Sequence, residues 1–423
     1  MLEQELQAVE EWSGHRISGR VTHLIGLLIE SNGPDTSVGE ICYVFGKDRK
    51  KLPCQVVGFK ERKVLLMPLG DVRHIKPGSE VFPTEDVHTI PVGYELKGRI
   101  LDALGHPIDG KAPIVPQSFY PVSAPPPAPL ARKRIREALP TQIKAIDSLL
   151  TIGKGQRVGI FSPPGVGKSS LMGMIARRAQ ADINVIALIG ERGREVREFI
   201  ERDLAVEGLA RSVVVVVTSD QPALLRRKGA NVAMCIAEYF RDQGQNVLLM
   251  MDSISRYAMA LREIGLAIGE PPTNKGYTPS VFADLPKLLE RAGNSDKGSI
   301  TGIYTILSED EEWGDPIPEA VRSLLDGHIS LSRSLAEGGH FPPIDVLKSL
   351  SRLMAQLASQ EQLSHASKVR KLLHAYREAE ELIQIGAYVE GSNALIDEAI
   401  AKREALLNFL QEPGKNTPLN IIL

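Results

Sequence analysis

Two closely spaced glycines followed by a lysine and a hydroxyl can hold a polyphosphate, and the chain carries that set at Gly165, Gly167, Lys168 and Ser169. The glycines let successive N–H groups turn inward as an anion nest. The lysine can then reach the outer phosphates, and the serine hydroxyl can bind magnesium. The whole run is Ser162, Pro163, Pro164, Gly165, Val166, Gly167, Lys168, Ser169, with Ser170 directly after it. Serine stands where such loops usually begin with glycine or alanine. A second requirement is carboxylates. Asp252 ends the apolar run 246–251 and is placed to hold the magnesium, directly or through water. A helix-capping aspartate is the competing reading. Residues 184–189 run into Gly190-Glu191-Arg192-Gly193-Arg194-Glu195, where a carboxylate could polarise a water in line with the outer phosphate. Glu191 is the first choice and Glu195 the rival, against the plain alternative of surface ion pairs.

These residues need a scaffold that brings strand ends together. Residues 157–161 read as a short buried strand before the loop, and Ser170-Leu171-Met172 opens a helical pattern after it. Further strands are predicted at 184–189, 212–218, 246–251, 299–307 and 328–332, alternating with helical stretches that include 230–243. The runs Val213 to Val217 and Val247 to Met251 are continuously apolar, as parallel strands covered on both faces are. The pattern predicts a doubly wound α/β domain with ligands at the carboxyl ends of its strands.

Ahead of it, residues 16–85 hold short apolar runs separated by turn signals such as Asn32-Gly33-Pro34-Asp35 and Lys76-Pro77-Gly78, which suggests a small β-barrel. No basic stripe interleaved with aromatics marks it as a nucleic-acid binder, so an assembly role is expected. Residues 98–110 read as a strand and a glycine-rich turn. Pro121 to Pro129 reads as a stiff connector, and Arg132-Lys133-Arg134-Ile135-Arg136 as a solvated face or a subunit contact. Beyond Val346, Val369, Leu372, Leu373, Tyr376 and Ala379, then Leu395, Ala399, Leu406 and Leu410, follow helical spacing, with Ser392 as an N-cap. The expected division is a barrel over 1–90, a nucleotide-binding α/β domain over 91–345 and a helical domain over 346–423.

The 423 residues, 43% hydrophobic and 24% charged, suit a sizeable core. A net charge of −2 gives no global pull toward nucleic acid or an anionic membrane. The three cysteines, Cys42, Cys54 and Cys235, lack metal-ligand spacing and read as buried apolar residues. The acidic N-terminus lacks a signal-peptide pattern, and no apolar run approaches the ~20 residues that span a bilayer. A cytoplasmic protein is expected, with any membrane association peripheral.

Longer stretches carry a specific resemblance. Residues 147–159, 165–174, 185–201, 212–225, 236–252, 262–293, 324–333 and 339–354 resemble the ATPases of flagellar and virulence-associated type III protein export, relatives of the catalytic subunit of rotary ATP synthases. Arg262-Glu263-Ile264-Gly265-Leu266-Ala267-Ile268-Gly269-Glu270-Pro271-Pro272 and Leu325-Asp326-Gly327-His328-Ile329 look like this branch rather than a synthase subunit. The resemblance implies a RecA-like P-loop core that uses ATP and Mg2+. It implies that Glu191 orients the attacking water, that Arg192 and Arg256 lie near the phosphates, and that Phe341 packs on adenine, although a core phenylalanine is the alternative. It implies that Arg352 is an arginine finger acting on nucleotide held by the neighbouring subunit of a homo-hexamer, with Arg333 as second candidate.

The resemblance also implies a motor coupling ATP hydrolysis to chaperone release, substrate unfolding and export. Its partners would be a stalk-type coiled-coil protein, a regulator, a membrane export gate, chaperones and export substrates, at the inner face of the bacterial cytoplasmic membrane and without nucleic acid. Loops 270–278 and 308–315 would face the stalk or the exported chain. Ser162-Pro163-Pro164, Thr141-Gln142 and Ala128 depart from the family pattern without removing a catalytic group. A non-hydrolysing regulatory ring subunit is the first alternative, opposed by Glu191, Lys168 and Asp252. An RNA-translocating hexameric ATPase is the second, opposed by the barrel's composition.

Overall fold

The apolar runs become strands, and the difference between one-sided and two-sided burial decides where each strand goes. The computed structural model describes residues 18–46, 50–84, 88–308 and 314–411. Strands β1 (Gly19–Ile25), β2 (Leu28–Asn32), β3 (Ile41–Phe45), β4 (Lys51–Lys60), β5 (Lys63–Pro68) and β6 (Glu80–Pro83) close into a barrel in the order β1-β2-β5-β4-β3-β6. Alternate residues point inward, so Cys42 and Val44, Cys54 and Val56, Val64 and Leu66 fill a core of the barrel's own. Strand β5 is buried on both sides. Its Leu65 and Met67 face outward into the neighbouring α/β core and join barrel to domain. All three cysteines are buried free thiols. Burial pushes Cys42 up to about 11, which leaves it unreactive at neutral pH.

The central sheet is nine-stranded. Its members are β8 (Ile100–Leu101), β10 (Arg157–Ser162), β11 (Ile183–Glu191), β12 (Ser212–Thr218), β13 (Asn246–Asp252), β14 (Gly293–Asn294), β15 (Ser299–Leu307), β16 (Gly327–Leu331) and β17 (Ile344–Ser351). The order is β17-β16-β10-β15-β13-β11-β12-β8, with β14 pairing β15. β7 (Thr89–Val92) and β9 (Ser118–Pro121) form a separate ribbon. The strands from β10 to β13 are parallel, as is β16 to β10, whereas the edge strand β17 runs antiparallel to β16.

Two-sided burial is visible residue by residue. Val213, Val215, Val217, Leu249 and Met251 pack under helices Ala223–Asp242 and Ile254–Ala267. Val214, Leu248 and Met250 face the other way, toward helix Lys168–Arg178. Each such side chain, fully buried, contributes about 1.5–3 kcal/mol. The helix expected over 230–243 starts earlier, at Ala223. Gly229 interrupts its pattern for a packing reason: a Cβ there would lie 2.3 Å from Val217 Cγ2, so only glycine lets the helix approach β12 so closely.

The C-terminal helices Gln360–Gln384 and Ala394–Leu410 have no core to themselves. Val369, Leu372, Ala375, Ala399, Leu406 and Leu410 join the same cluster as one face of the sheet. The Arg370 guanidinium ties them down, donating to the carbonyls of Val346 at 2.6 Å and Leu149 at 3.0 Å. The last helix is capped by Asn393, not Ser392. Asn393 Oδ1 accepts from the N–H groups of Leu395 at 3.0 Å and Ile396 at 3.4 Å, and a carboxamide does this as well as a hydroxyl. Within the basic cluster, Arg132 is anchored by the carbonyl of Ala292 at 2.7 Å, while Lys133, Arg134 and Arg136 stay exposed. Glu309 to Glu312 of the second central loop, and the tail after Pro413, lie outside the described residues.

Candidate active site

Strand β10 delivers the chain into the glycine-rich loop with its last residue, Ser162, fully buried. The Ser162 hydroxyl donates to the Pro163 carbonyl at 2.7 Å, and its own carbonyl accepts from Ser308 N–H at 3.1 Å. Pro163 and Pro164 have no N–H to offer, so this approach fixes the start of the loop and leaves the anion nest to residues 165–169. Gly165 and Gly167 have φ of 78° and 97°, a conformation that favours glycine. Lys168 then begins the helix, Ser169 stands in its first turn, and Ser170 is exposed.

Four neighbouring strands, β10, β15, β13 and β11, bring the chemistry together at their carboxyl ends. Lys168 Nζ lies 2.5 Å from Asp252 Oδ1 and 3.8 Å from Glu191 Oε1. Asp252 Oδ1 also accepts from the Thr305 hydroxyl at 2.7 Å. Asp252 is the last residue of β13, Glu191 the last of β11, and Thr305 lies near the end of β15. Burial works to lower the Lys168 pKa, but the carboxylates of Asp252 and Glu191 outweigh it and hold the ammonium firmly charged. Glu191 moves the other way from an ordinary carboxylate. Burial, then the charge of Asp252, push it up to about 7, although Lys168 opposes them. Burial acts upward on Glu195 as well, yet hydrogen bonds from Arg192 and Glu191 hold it below its usual range. Two adjacent carboxylates driven apart in this way mark a proton acceptor and a fixed anion.

The flanking residues divide into those that join this cluster and those that do not. The Arg256 stem packs on Gly190, whose Cβ position lies 2.9 Å from Arg256 Cβ. Its backbone N–H is capped by Ser253 Oγ at 3.2 Å, and its Nε is buried without a hydrogen-bond partner, beside the strand end that carries Glu191. Phe341 is 52% exposed, and its ring lies 3.8 Å from the Cβ position of Gly167. It is therefore an uncovered aromatic beside the loop, not a core phenylalanine. Arg192 turns away to solvent and pairs with Glu195 at 2.8 Å. Arg333 begins a short helix just past the carboxyl end of β16 and is exposed.

Arg352 lies elsewhere. It follows β17, whose antiparallel course carries the chain from the loop end of the sheet to the amino end. Eight residues of strand at about 3.3 Å each separate the two ends by roughly 25 Å. Arg352 N–H donates to the Asp326 carbonyl at 3.0 Å, and the Asp326 carboxylate pairs with Arg157 at the start of β10 at 3.2 Å. The exposed Arg352 side chain cannot reach its own phosphate loop. Thr305 is a site residue that sequence reasoning misses. Its only signal is a hydroxyl near the carboxyl end of an otherwise largely apolar strand.

Among the described residues, no three His, Cys, Asp or Glu side chains converge on a metal cage. Ser169 with Asp252 instead offers the sparse hydroxyl and carboxylate set that suits a magnesium ion held largely by phosphates and water.

Comparison with known proteins adds the family. Residues 142–351 match the ATP synthase alpha/beta family nucleotide-binding domain, 21–85 its beta-barrel domain, and 358–420 the C-terminal domain of the T3SS ATPase EscN. The Flagellum-specific ATP synthase of Bacillus subtilis is 53% identical over 98% of this chain and 94% of its own. The Type 3 secretion system ATPase of Xanthomonas euvesicatoria is 50% identical over 93% and 90%. The chain belongs to the type III export ATPases. Among solved members of this family, the assembled ATPase EscN of enteropathogenic E. coli superposes with a TM-score of 0.89 at 45% identity, over 95% of this chain and 96% of that one. EscN in complex with its central stalk EscO superposes with a TM-score of 0.87. Export ATPases of both flagellar and secretion-system name thus align with this chain over nearly its whole length.

Proposed function

We propose that this export ATPase hydrolyses ATP at the carboxyl end of β10, β13 and β11 and couples the reaction to protein export as a ring of identical subunits, a hexamer. The observation that carries the reading is Lys168 held between the carboxylates of Asp252 and Glu191, the latter raised to about 7, at a phosphate-binding loop. The N–H groups of 165–169 cradle the phosphates, and Lys168 neutralises the outermost one. Ser169 and Asp252 would hold Mg2+, which when bound supplies charge against the phosphate oxygens. Glu191 positions a water and takes up its proton as the water oxygen bonds to the γ-phosphorus and the bond to the β-phosphate oxygen breaks. Arg256 stands beside Glu191 with a free Nε donor. Phe341 offers its exposed ring to the adenine face.

Arg352 serves the neighbouring subunit. Its distance from its own loop and its exposure support a role in trans, where a guanidinium stabilises charge that develops only in the transition state. The assembled EscN and its complex with a central stalk support a homo-oligomer with a stalk partner, and we take that stalk to be a coiled coil. The described loop 270–278 and the loop 308–315 are placed toward that stalk in this reading. Chaperones, export substrates, a regulator and a membrane gate are the further partners. No described helix is long and apolar enough to cross a membrane, and we place the protein in the cytoplasm, peripherally at the inner face of the membrane. The test is Lys168→Ala in the full chain. Steady-state ATP hydrolysis should fall by about a thousandfold or more; a variant that keeps full turnover would overturn the site.

A further inference from the structure

A buried lysine lies on the opposite face of the sheet from helix Lys168–Arg178 and takes no part in the ATP chemistry described above. Lys228, on helix Ala223–Asp242, is only 5% exposed. Its described hydrogen-bond partner is Nδ1 of His88, at 3.3 Å. An ammonium has three donors and needs an anion when buried. The adjacent Arg227 has one, Asp284 at 2.6 Å. Among the described residues, Lys228 has no carboxylate partner. Burial, and then the charge of Arg227, lower its pKa to about 8, while burial and the charge of Lys228 lower that of His88 to about 4, so the imidazole is a neutral acceptor.

Lys228 lines a cleft of about 630 Å³ between the barrel and the α/β domain. One wall is the loop 37–40 with Val56 and Val57 of β4. The opposite wall is Leu261, Ile264 and Ile268, from and just beyond helix Ile254–Ala267. Glu40, Glu270 and Asp284 also lie around the cleft. A multiply charged anion such as a nucleotide would meet those carboxylates. A single negative charge on an apolar body is repelled far less: the charge completes the shell of Lys228 and the body lies on the aliphatic walls.

We infer that this cleft is a binding site for a small monocarboxylate with an apolar chain, held by Lys228 and wedged between barrel and nucleotide-binding domain. Binding joins two bodies that otherwise meet there across open space, so occupancy stiffens the barrel on its neighbour.

Octanoate is the probe, titrated calorimetrically into the full-length chain, with octanol as the uncharged chain and acetate as the charge without a chain. Octanoate should saturate one site per chain, at least tenfold tighter than octanol, and acetate should not saturate. Lys228→Met should weaken octanoate at least tenfold and leave octanol unchanged, whereas Lys228→Arg should retain octanoate. Ser123→Trp, at the exposed rim, should block both ligands without touching the lysine. Equal affinity of octanoate and octanol for the unmodified chain would overturn the inference. So would undiminished octanoate binding to Lys228→Met, or no saturable octanoate binding at all. ATP hydrolysis by each variant, read in parallel, separates this site from the phosphate loop.

Discussion

The edge strand β17 runs between two ends of the sheet, one beside Phe341 and one bearing Arg352, that differ in almost every physical respect. At its start, Phe341 lies against Gly167, next to the loop that carries Lys168 into contact with Asp252. Charges there are matched at close range, with Lys168 held firmly charged and Glu191 shifted upward. At its finish, Arg352 is exposed, and among the described residues only its backbone is held, through Asp326. A charge matched locally is machinery ready within one chain. A charge left bare on an anchored backbone is machinery whose partner comes from outside. Two unlike ends of one sheet, presented by successive copies, are what a head-to-tail contact closing a ring requires. In the proposed ring, the phosphate-loop end of one subunit and the Arg352 end of the next would be complementary halves of one site.

The sharpest way to break this contrast is at the matched end. Glu191→Gln keeps the shape and removes the proton acceptor. Hydrolysis should fall by about 10²–10⁴, with ATP binding retained in an equilibrium titration; loss of binding instead would reassign Glu191 to holding the nucleotide. The second effect is on pH. In the proposed mechanism the active form of Glu191 is the deprotonated one, and its pKa is raised to about 7. Turnover should therefore rise with pH through 7 and drop about tenfold per unit below it. A rate profile flat from pH 5.5 to 7 would show that Glu191 is not the acceptor. Phe341→Ala comes next. Loss of a stacking ring worth about 1 kcal/mol should raise KM for ATP some fivefold and leave kcat nearly unchanged. The smallest change is Thr305→Val, which removes the hydroxyl from Asp252 at a cost of about 1 kcal/mol. It should raise the Mg2+ concentration needed for half-maximal rate a few fold.

Much of the matched end was legible in the sequence because it depends on local pattern. The loop needs its own glycines, and Glu191 and Asp252 declare themselves by ending apolar runs. The two-sided burial of Val213 to Val217 announced a parallel sheet. What stayed hidden depends on partners distant in the chain. Thr305 matters only because β15 lies between β10 and β13. The C-terminal helical stripes were readable as core, but not that they share the sheet's own core. Ile100 and Leu101 read as a strand, yet their place at the sheet's far edge beside β12 follows from pairing alone. The separation of Arg352 from its own loop follows from the antiparallel turn of β17, which no residue type encodes.

The central claim is that Arg352 completes the site of the next subunit, and a mixing experiment tests it most directly. Subunits carrying Glu191→Gln are combined with subunits carrying Arg352→Ala under ring-forming conditions, and ATP hydrolysis is followed against the ratio of the two. Each variant alone should be nearly inactive. If the finger acts in trans, random assortment at equal amounts makes about a quarter of the interfaces complete, and hydrolysis should recover well above either parent, peaking near equal mixing. If Arg352 acts within its own chain, no mixed interface is complete. Hydrolysis that stays at the sum of the two parents at every ratio would contradict the account.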